Sequence, residues 1–284
     1  MFDIEIKNLE NSIVVSLKNT NNNFCEYAFY LYEDGSKIST IWYQESPTIN
    51  FDIDIKGVEY FVKCFIKDNK KEKTEIITSE KIFIEKVNYD LKKWSDKVEL
   101  TSLDEIKNDL QFKDGVKIFK HKEQTIDFLV DGSDRFEKDR GILICFSAAV
   151  PNRSEKSAPF FSGMKIALQM NMPIIAVSDP SLSFSNNLSL GWYAGNENII
   201  DLPKVIANIL DQYATTLNTN LILFGGSGGG FAVLSVIDEM ETDATGVVWN
   251  PQTSISEFDP NIVRNYIESS FLEDTYVSSE IITF

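Results

Sequence analysis

From residue 3 to about residue 88 the chain alternates apolar and polar positions with period two. Residues 3–6, 12–17, 26–32, 39–43, 48–55 and 60–66 each read as a half-buried strand. Turn-forming residues separate them at 19–23, 33–36, 45–47 and 67–69. Six or seven short strands at this spacing predict a small all-β sandwich over residues 1–88, of immunoglobulin or fibronectin type. It lacks the pair of intersheet cysteines and the tryptophan that mark antibody-like domains. Its aromatic residues, Trp42 and Tyr43 among them, read as core and strand filler rather than as a sugar platform.

Residues 89–115 read as a linker with helical content. Within it Ser102 and Glu105 have the spacing of a capping box. The period then changes. Residues 116–119 and 125–130 form two strands around a short polar turn, and from there apolar runs alternate with helical segments. The strands are 141–146, 173–177, 220–224 and 246–249; the helices are 162–170, 202–217 and 229–240. Near-continuous apolar strands alternating with helices predict a mostly parallel sheet covered on both faces over residues 116–284.

Composition narrows the partners. A formal net charge of −16 disfavours nucleic acid and anionic membranes, and the lysine run at 67–73 is broken by Asp68 and Glu72. Residues 1–7 have neither a basic nor an apolar leader, and no stretch approaches the length of a membrane span. A cytoplasmic protein is expected. Cys25, Cys64 and Cys145 lie in apolar strands without metal-ligand spacing, so they read as free buried thiols, with a Cys25–Cys64 disulfide left open. No motif calls for a metal or another cofactor.

The residues that carry chemistry lie at 221–234. A strand, Leu221-Ile-Leu-Phe, runs into Gly225-Gly226-Ser227-Gly228-Gly229-Gly230 and then into a helix. This is the pattern of a nucleophile elbow, in which a serine on a very sharp turn needs small neighbours because strand and helix nearly touch. A P-loop would end in Gly-Lys-Ser/Thr, and a dinucleotide fingerprint needs a small residue where Phe231 stands. Ser227 is the candidate nucleophile, and the amide of Gly228 one candidate oxyanion donor. Counted from Val116, the elbow follows the fifth strand, as in an α/β-hydrolase-like doubly wound sheet. The loop after the third strand then supplies the second donor, the amide of Ala148 or Ser147. The fourth and sixth strands end in Ser178-Asp-Pro-Ser and Trp249-Asn-Pro-Gln-Thr, which should bring polar groups such as Asn250 and Gln252 to the same cleft.

Taken in order, Pro159-Phe-Phe-Ser-Gly, Ser178-Asp-Pro-Ser, Gly191-Trp-Tyr-Ala-Gly-Asn, the elbow and Trp249-Asn-Pro-Gln-Thr resemble one branch of the α/β-hydrolase superfamily. Its members are bacterial proteins of capsular and surface-polysaccharide loci, distantly similar to the O-acetyltransferase component of accessory secretion systems for glycosylated adhesins. The resemblance covers about residues 110–270. It implies acyl transfer to or from a sugar hydroxyl, with a carbohydrate or glycan substrate and an acyl group or donor. It also implies that Arg153, Asp179 and Trp192 lie near the substrate.

A serine needs a base, and in this fold the acid and histidine normally follow it in the chain. The single histidine, His121, precedes Ser227 and sits in the turn between the first two strands, on the order of 15 Å away by strand count. Only 57 residues follow the serine, and Asp243 and Asp259 are the downstream acids to inspect. Three explanations stand: the sheet is C-terminally incomplete, with residues 281–284 a strand cut short; a partner chain supplies the base; or the module is a degenerate hydrolase. The functional expectation is a serine-dependent carbohydrate O-acyl esterase or O-acetyltransferase. The alternative is a non-catalytic interaction module of a glycan-assembly or export complex, docking a protein partner through its β domain.

Overall fold

The computed structural model describes residues 2–9, 12–18, 25–53, 57–70, 73–84, 88–103, 110–122 and 124–271. They divide into two compact units, Met1–Lys86 and Val87–Phe284.

The first unit contains two antiparallel sheets. One is ordered β1 (Asp3–Leu9), β2 (Ser12–Lys18), β5 (Thr48–Asp52). The other is ordered β4 (Ser36–Gln44), β3 (Cys25–Glu33), β6 (Val58–Asp68), β7 (Lys73–Thr78), with β8 (Ile82–Ile84) also on β6. Period two sends alternate residues to one core, so Ile13, Val15 and Phe51 of one sheet join Phe29, Leu31 and Val62 of the other. This is a sandwich-like arrangement. Trp42 and Tyr43 do not fill its core: they are 68% and 40% exposed, and Trp42 meets Tyr30 edge-on. The register also rules out the disulfide. Cys64 pairs with Phe29, four residues from Cys25, an offset of about 13 Å along the strand. All three cysteines are buried thiols.

The second unit is built on a seven-stranded mixed sheet. Its strands are β9 (Val98–Ser102), β10 (Gly115–His121), β11 (Gln124–Asp131), β12 (Ile142–Phe146), β13 (Ile174–Val177), β14 (Leu221–Gly226) and β15 (Ala244–Trp249). Their spatial order is β15-β14-β12-β13-β11-β10-β9. Only β11 runs antiparallel to its neighbours. The helices are α1 (Met164–Met170), α2 (Leu202–Leu217), α3 (Gly228–Glu239) and α4 (Pro260–Ser270). Alternation along β12 explains the layering. Ile142, Ile144 and Phe146 face α2 and α3, whereas Leu143 and Cys145 face α1 and Phe161.

The segment read as a linker belongs to this unit. Val98–Ser102 pairs in parallel with β10, and Glu99 forms an ion pair with the buried Lys117. As an edge strand it leaves Val98 and Leu100 exposed, so its alternation never produced a buried face to read. The capping box at Glu105 and the apolar run at 281–284 lie outside the described residues. Among those described, no helix is long and apolar enough to cross a membrane.

Candidate active site

The strand-to-helix turn after β14 is as tight as its glycines require. A Cβ on Gly225 would stand 2.3 Å from the carbonyl oxygen of Gly229, and one on Gly229 would stand 2.5 Å from that of Phe146. Any larger side chain forces α3 off the sheet. Between them Ser227 is held at φ 52, ψ −122, a conformation that costs a non-glycine residue about 1–3 kcal/mol. Backbone bonds hold it there. Its amide donates to Trp249 O at 3.2 Å, and its carbonyl accepts from the amides of Gly230, Phe231 and Gln252. The side chain is half-buried at the C-terminal edge of the sheet. Gly228 follows as the first residue of α3, so its amide has no acceptor within the helix and points where negative charge is favoured.

A carboxamide, not an imidazole, meets the hydroxyl. Gln252 Nε2 donates to Ser227 Oγ at 3.3 Å, and Trp192 Nε1 donates to Gln252 Oε1. The indole can only donate, which fixes which end of the Gln252 amide faces the serine. Trp192 is fully buried and packs edge-on against Phe258 and Tyr266. It and Tyr193 both have φ 56. The carboxylate of Asp179 holds this strained pair, accepting from the amides of Tyr193 at 2.8 Å and Ser181 at 3.0 Å. Burial pushes the Asp179 carboxyl up to about 6, while these hydrogen bonds oppose the shift.

The other sequence candidates divide. Ser147 is ruled out as an oxyanion donor because its amide donates to Tyr193 Oη at 2.9 Å; Ala148 is exposed on the same loop. Arg153 is buried, and its guanidinium donates to the carbonyls of Lys156 and Leu182, both at 2.7 Å, with Phe160 under it at 4.8 Å. Asp179 is likewise buried and turned to backbone amides, so both residues brace loops around the site. Asn250 is exposed in a left-handed turn after β15. Asp243 precedes β15, at the sheet edge opposite Ser227, and Asp259 caps α4 by accepting from the amides of Asn261 and Ile262. His121 ends β10, four strands from β14, about 19 Å by strand spacing. None of the three is placed to take a proton from Ser227. Among the described residues no cluster of three or more His, Cys, Asp or Glu could hold a metal ion.

Beside the elbow lies a cavity of about 700 Å³. Gly226 and Ala148 form part of its wall, together with Trp94, Phe161, Phe224 and Trp249. The sequence did not reveal this space, because Trp94 comes from the segment read as a linker.

No family model and no curated protein matches the sequence. Matching solved structures include the rat CD45 extracellular region, domains d3–d4, at 16% identity and TM-score 0.23, covering 28% of this chain and 48% of that one. The N-acyl homoserine lactonase AidH, complexed with N-butanoyl homoserine, matches at 14% identity and TM-score 0.27, over 54% of this chain and 57% of that one. A β-glucuronidase of Parabacteroides merdae matches at 10% identity and TM-score 0.20, over 93% of this chain and 31% of that one. The chain thus spans about half the length of the first and second of these and a third of the last. Scores this low carry no argument about topology or activity; the strand order above stands on the chain's own pairing.

Proposed function

We propose that the second unit is an α/β-hydrolase-type module that transfers an acyl group through Ser227. Its role would be that of a carbohydrate O-acyl esterase or O-acetyltransferase on a surface glycan or its precursor. The observation that carries the acyl-transfer reading is the backbone of Ser227, strained at φ 52, ψ −122 between β14 and the first turn of α3. A serine in a structural turn has no need of that conformation. The strand order, with one antiparallel strand and the elbow after the fifth strand from β10, supports the hydrolase reading. The glycan acceptor rests on the ordered motifs from Pro159 to Thr253.

In this mechanism Ser227 Oγ attacks the acyl carbonyl, and the resulting oxyanion is met by the amides of Gly228 and Ala148. The alcohol leaves with the proton taken from Ser227, and water or a second hydroxyl then releases the acyl group. Gln252 cannot take that proton, since its Nε2 donates toward Oγ; it positions the hydroxyl. His121, Asp243 and Asp259 are not placed to take the proton either. A fluorophosphonate or an activated acetyl ester should add its mass to Ser227, and Ser227→Ala should abolish the addition. The second reading, a non-catalytic interaction module, is favoured by one observation, the donor amide where a base should be. An unmodified Ser227 in the full chain with its partners would select it.

A further inference from the structure

We propose that the cavity beside the elbow is an acyl-chain pocket, so that the group carried by Ser227 is an extended fatty acyl chain rather than acetyl. The inference rests on the reading of Ser227 as nucleophile and narrows its substrate. At about 700 Å³ the space lies within the range of sites for whole small molecules, about 300–1,000 Å³, and far exceeds what an acetyl group fills. Much of its wall is aromatic or aliphatic. Trp94 and Phe161 meet edge-on at 5.2 Å, with Phe160 in the same loop; Phe224 comes from β14; Trp249 closes the end of β15.

The polar inventory argues against a sugar here. Sugars are oriented by carboxylates and carboxamides, and among the described residues no Asp, Glu, Asn or Gln lines the cavity. Two of its three serines are bonded to each other or to the wall: Ser147 Oγ donates to Ser162 Oγ at 3.1 Å, and Ser162 Oγ also meets Cys145 Sγ at 3.2 Å; the third, Ser157, offers its carbonyl to Lys93. The cations are Lys93 and Lys156. Lys93 Nζ bonds the carbonyl of Ser157 and lies 5.4 Å from the Trp94 ring centroid and 5.0 Å from that of Phe160. Lys93 thus has its partners in the wall, and Lys156 lies exposed at the surface. Position supplies the last point. Gly226 precedes the nucleophile and Ala148 is the second oxyanion candidate, so a chain lying in this cavity presents its carbonyl end to Ser227. The sugar hydroxyl must then approach from another side.

The test separates binding from chemistry by using Ser227→Ala, full length, in calorimetric titrations with acetate, hexanoate and decanoate. Decanoate should bind and acetate should not, with affinity rising about fourfold per methylene between hexanoate and decanoate. Ile166→Phe, which intrudes on the cavity from the exposed side of α1, should weaken decanoate at least tenfold. No decanoate binding, or binding indifferent to chain length and to Ile166→Phe, overturns the pocket. In parallel, wild-type protein is treated with p-nitrophenyl acetate and p-nitrophenyl decanoate. Faster acylation of Ser227 by the decanoate supports the proposal; equal or faster acylation by the acetate overturns it. Length-dependent binding without acylation by either ester upholds the pocket and fails the nucleophile instead.

Discussion

Among the described residues, the first unit buries one polar side chain, Ser79, while the second buries thirteen, from Lys117 to Ser270. Backbone strain divides the same way. Among the described residues, non-glycine residues with positive φ number one in the first unit, Asp34, and eight in the second, including Trp192, Tyr193 and Ser227. Ser79 replaces a missing strand partner: its hydroxyl accepts from Val62 N and donates to Glu80 O. In the second unit such groups converge on a place. Asp179, Tyr193, Trp192 and Gln252 form a hydrogen-bonded and covalent path that ends on Ser227 Oγ. A buried polar group costs about 1–3 kcal/mol when unpaired, so a unit that collects them is specifying geometry beyond what packing needs.

Four changes test that contrast, in falling order of effect. Ser227→Ala should lower ester turnover by about 10⁴-fold or more, read by hydrolysis of an activated ester. Phe29→Ala, in the core of the first unit, should cost about 3–5 kcal/mol in denaturant unfolding while Ser227 keeps its reactivity; loss of labelling there would break the division of roles.

The third concerns Asp127. Burial raises its carboxyl to about 6, Tyr89 Oη donates to its Oδ2, and Oδ1 has no hydrogen-bond partner among the described residues. The folded state thus holds the proton more tightly than the unfolded chain. Stability from this group is full below about pH 4 and falls as pH rises through 6; Asp179 has the same sign. Asp127→Asn should flatten that fall and raise stability at pH 8 by about 1–3 kcal/mol, measured by thermal melts across pH.

The fourth is a matched pair of glycines. Gly229→Ala meets a carbonyl at 2.5 Å and should cost about 1–3 kcal/mol together with labelling of Ser227. Gly35→Ala opens onto free space and should cost only its backbone conformation, about 1 kcal/mol.

The same contrast explains what could be read from the chain. Regular packing is periodic, so β1 to β6 of the first unit and the apolar strands β12, β13 and β14 were legible; β7, exposed along nearly its whole length, and the three-residue β8 were not. The elbow was legible because close approach leaves only glycine at 225 and 229. Edge strand β9 was not, since its apolar residues face outward. Neither was the link from Trp192 to Gln252, which joins residues 60 positions apart through a single hydrogen bond. The polar end of β15 did point to Gln252, but not to its partner. Arg153 and Asp179 were noticed by resemblance to a glycan-linked branch, yet here they serve backbone groups, a role that residue type alone does not reveal.

The loop at Trp192 and Tyr193 has one more consequence. Each left-handed residue stores about 1–3 kcal/mol, held in place by Asp179 and by the packing of the indole. A variant that lets the loop relax regains part of that energy while Gln252 loses its anchor. Melting temperature and site integrity are uncoupled at this point. A stability screen would pass such a variant unnoticed, and only a reagent aimed at Ser227 would find it.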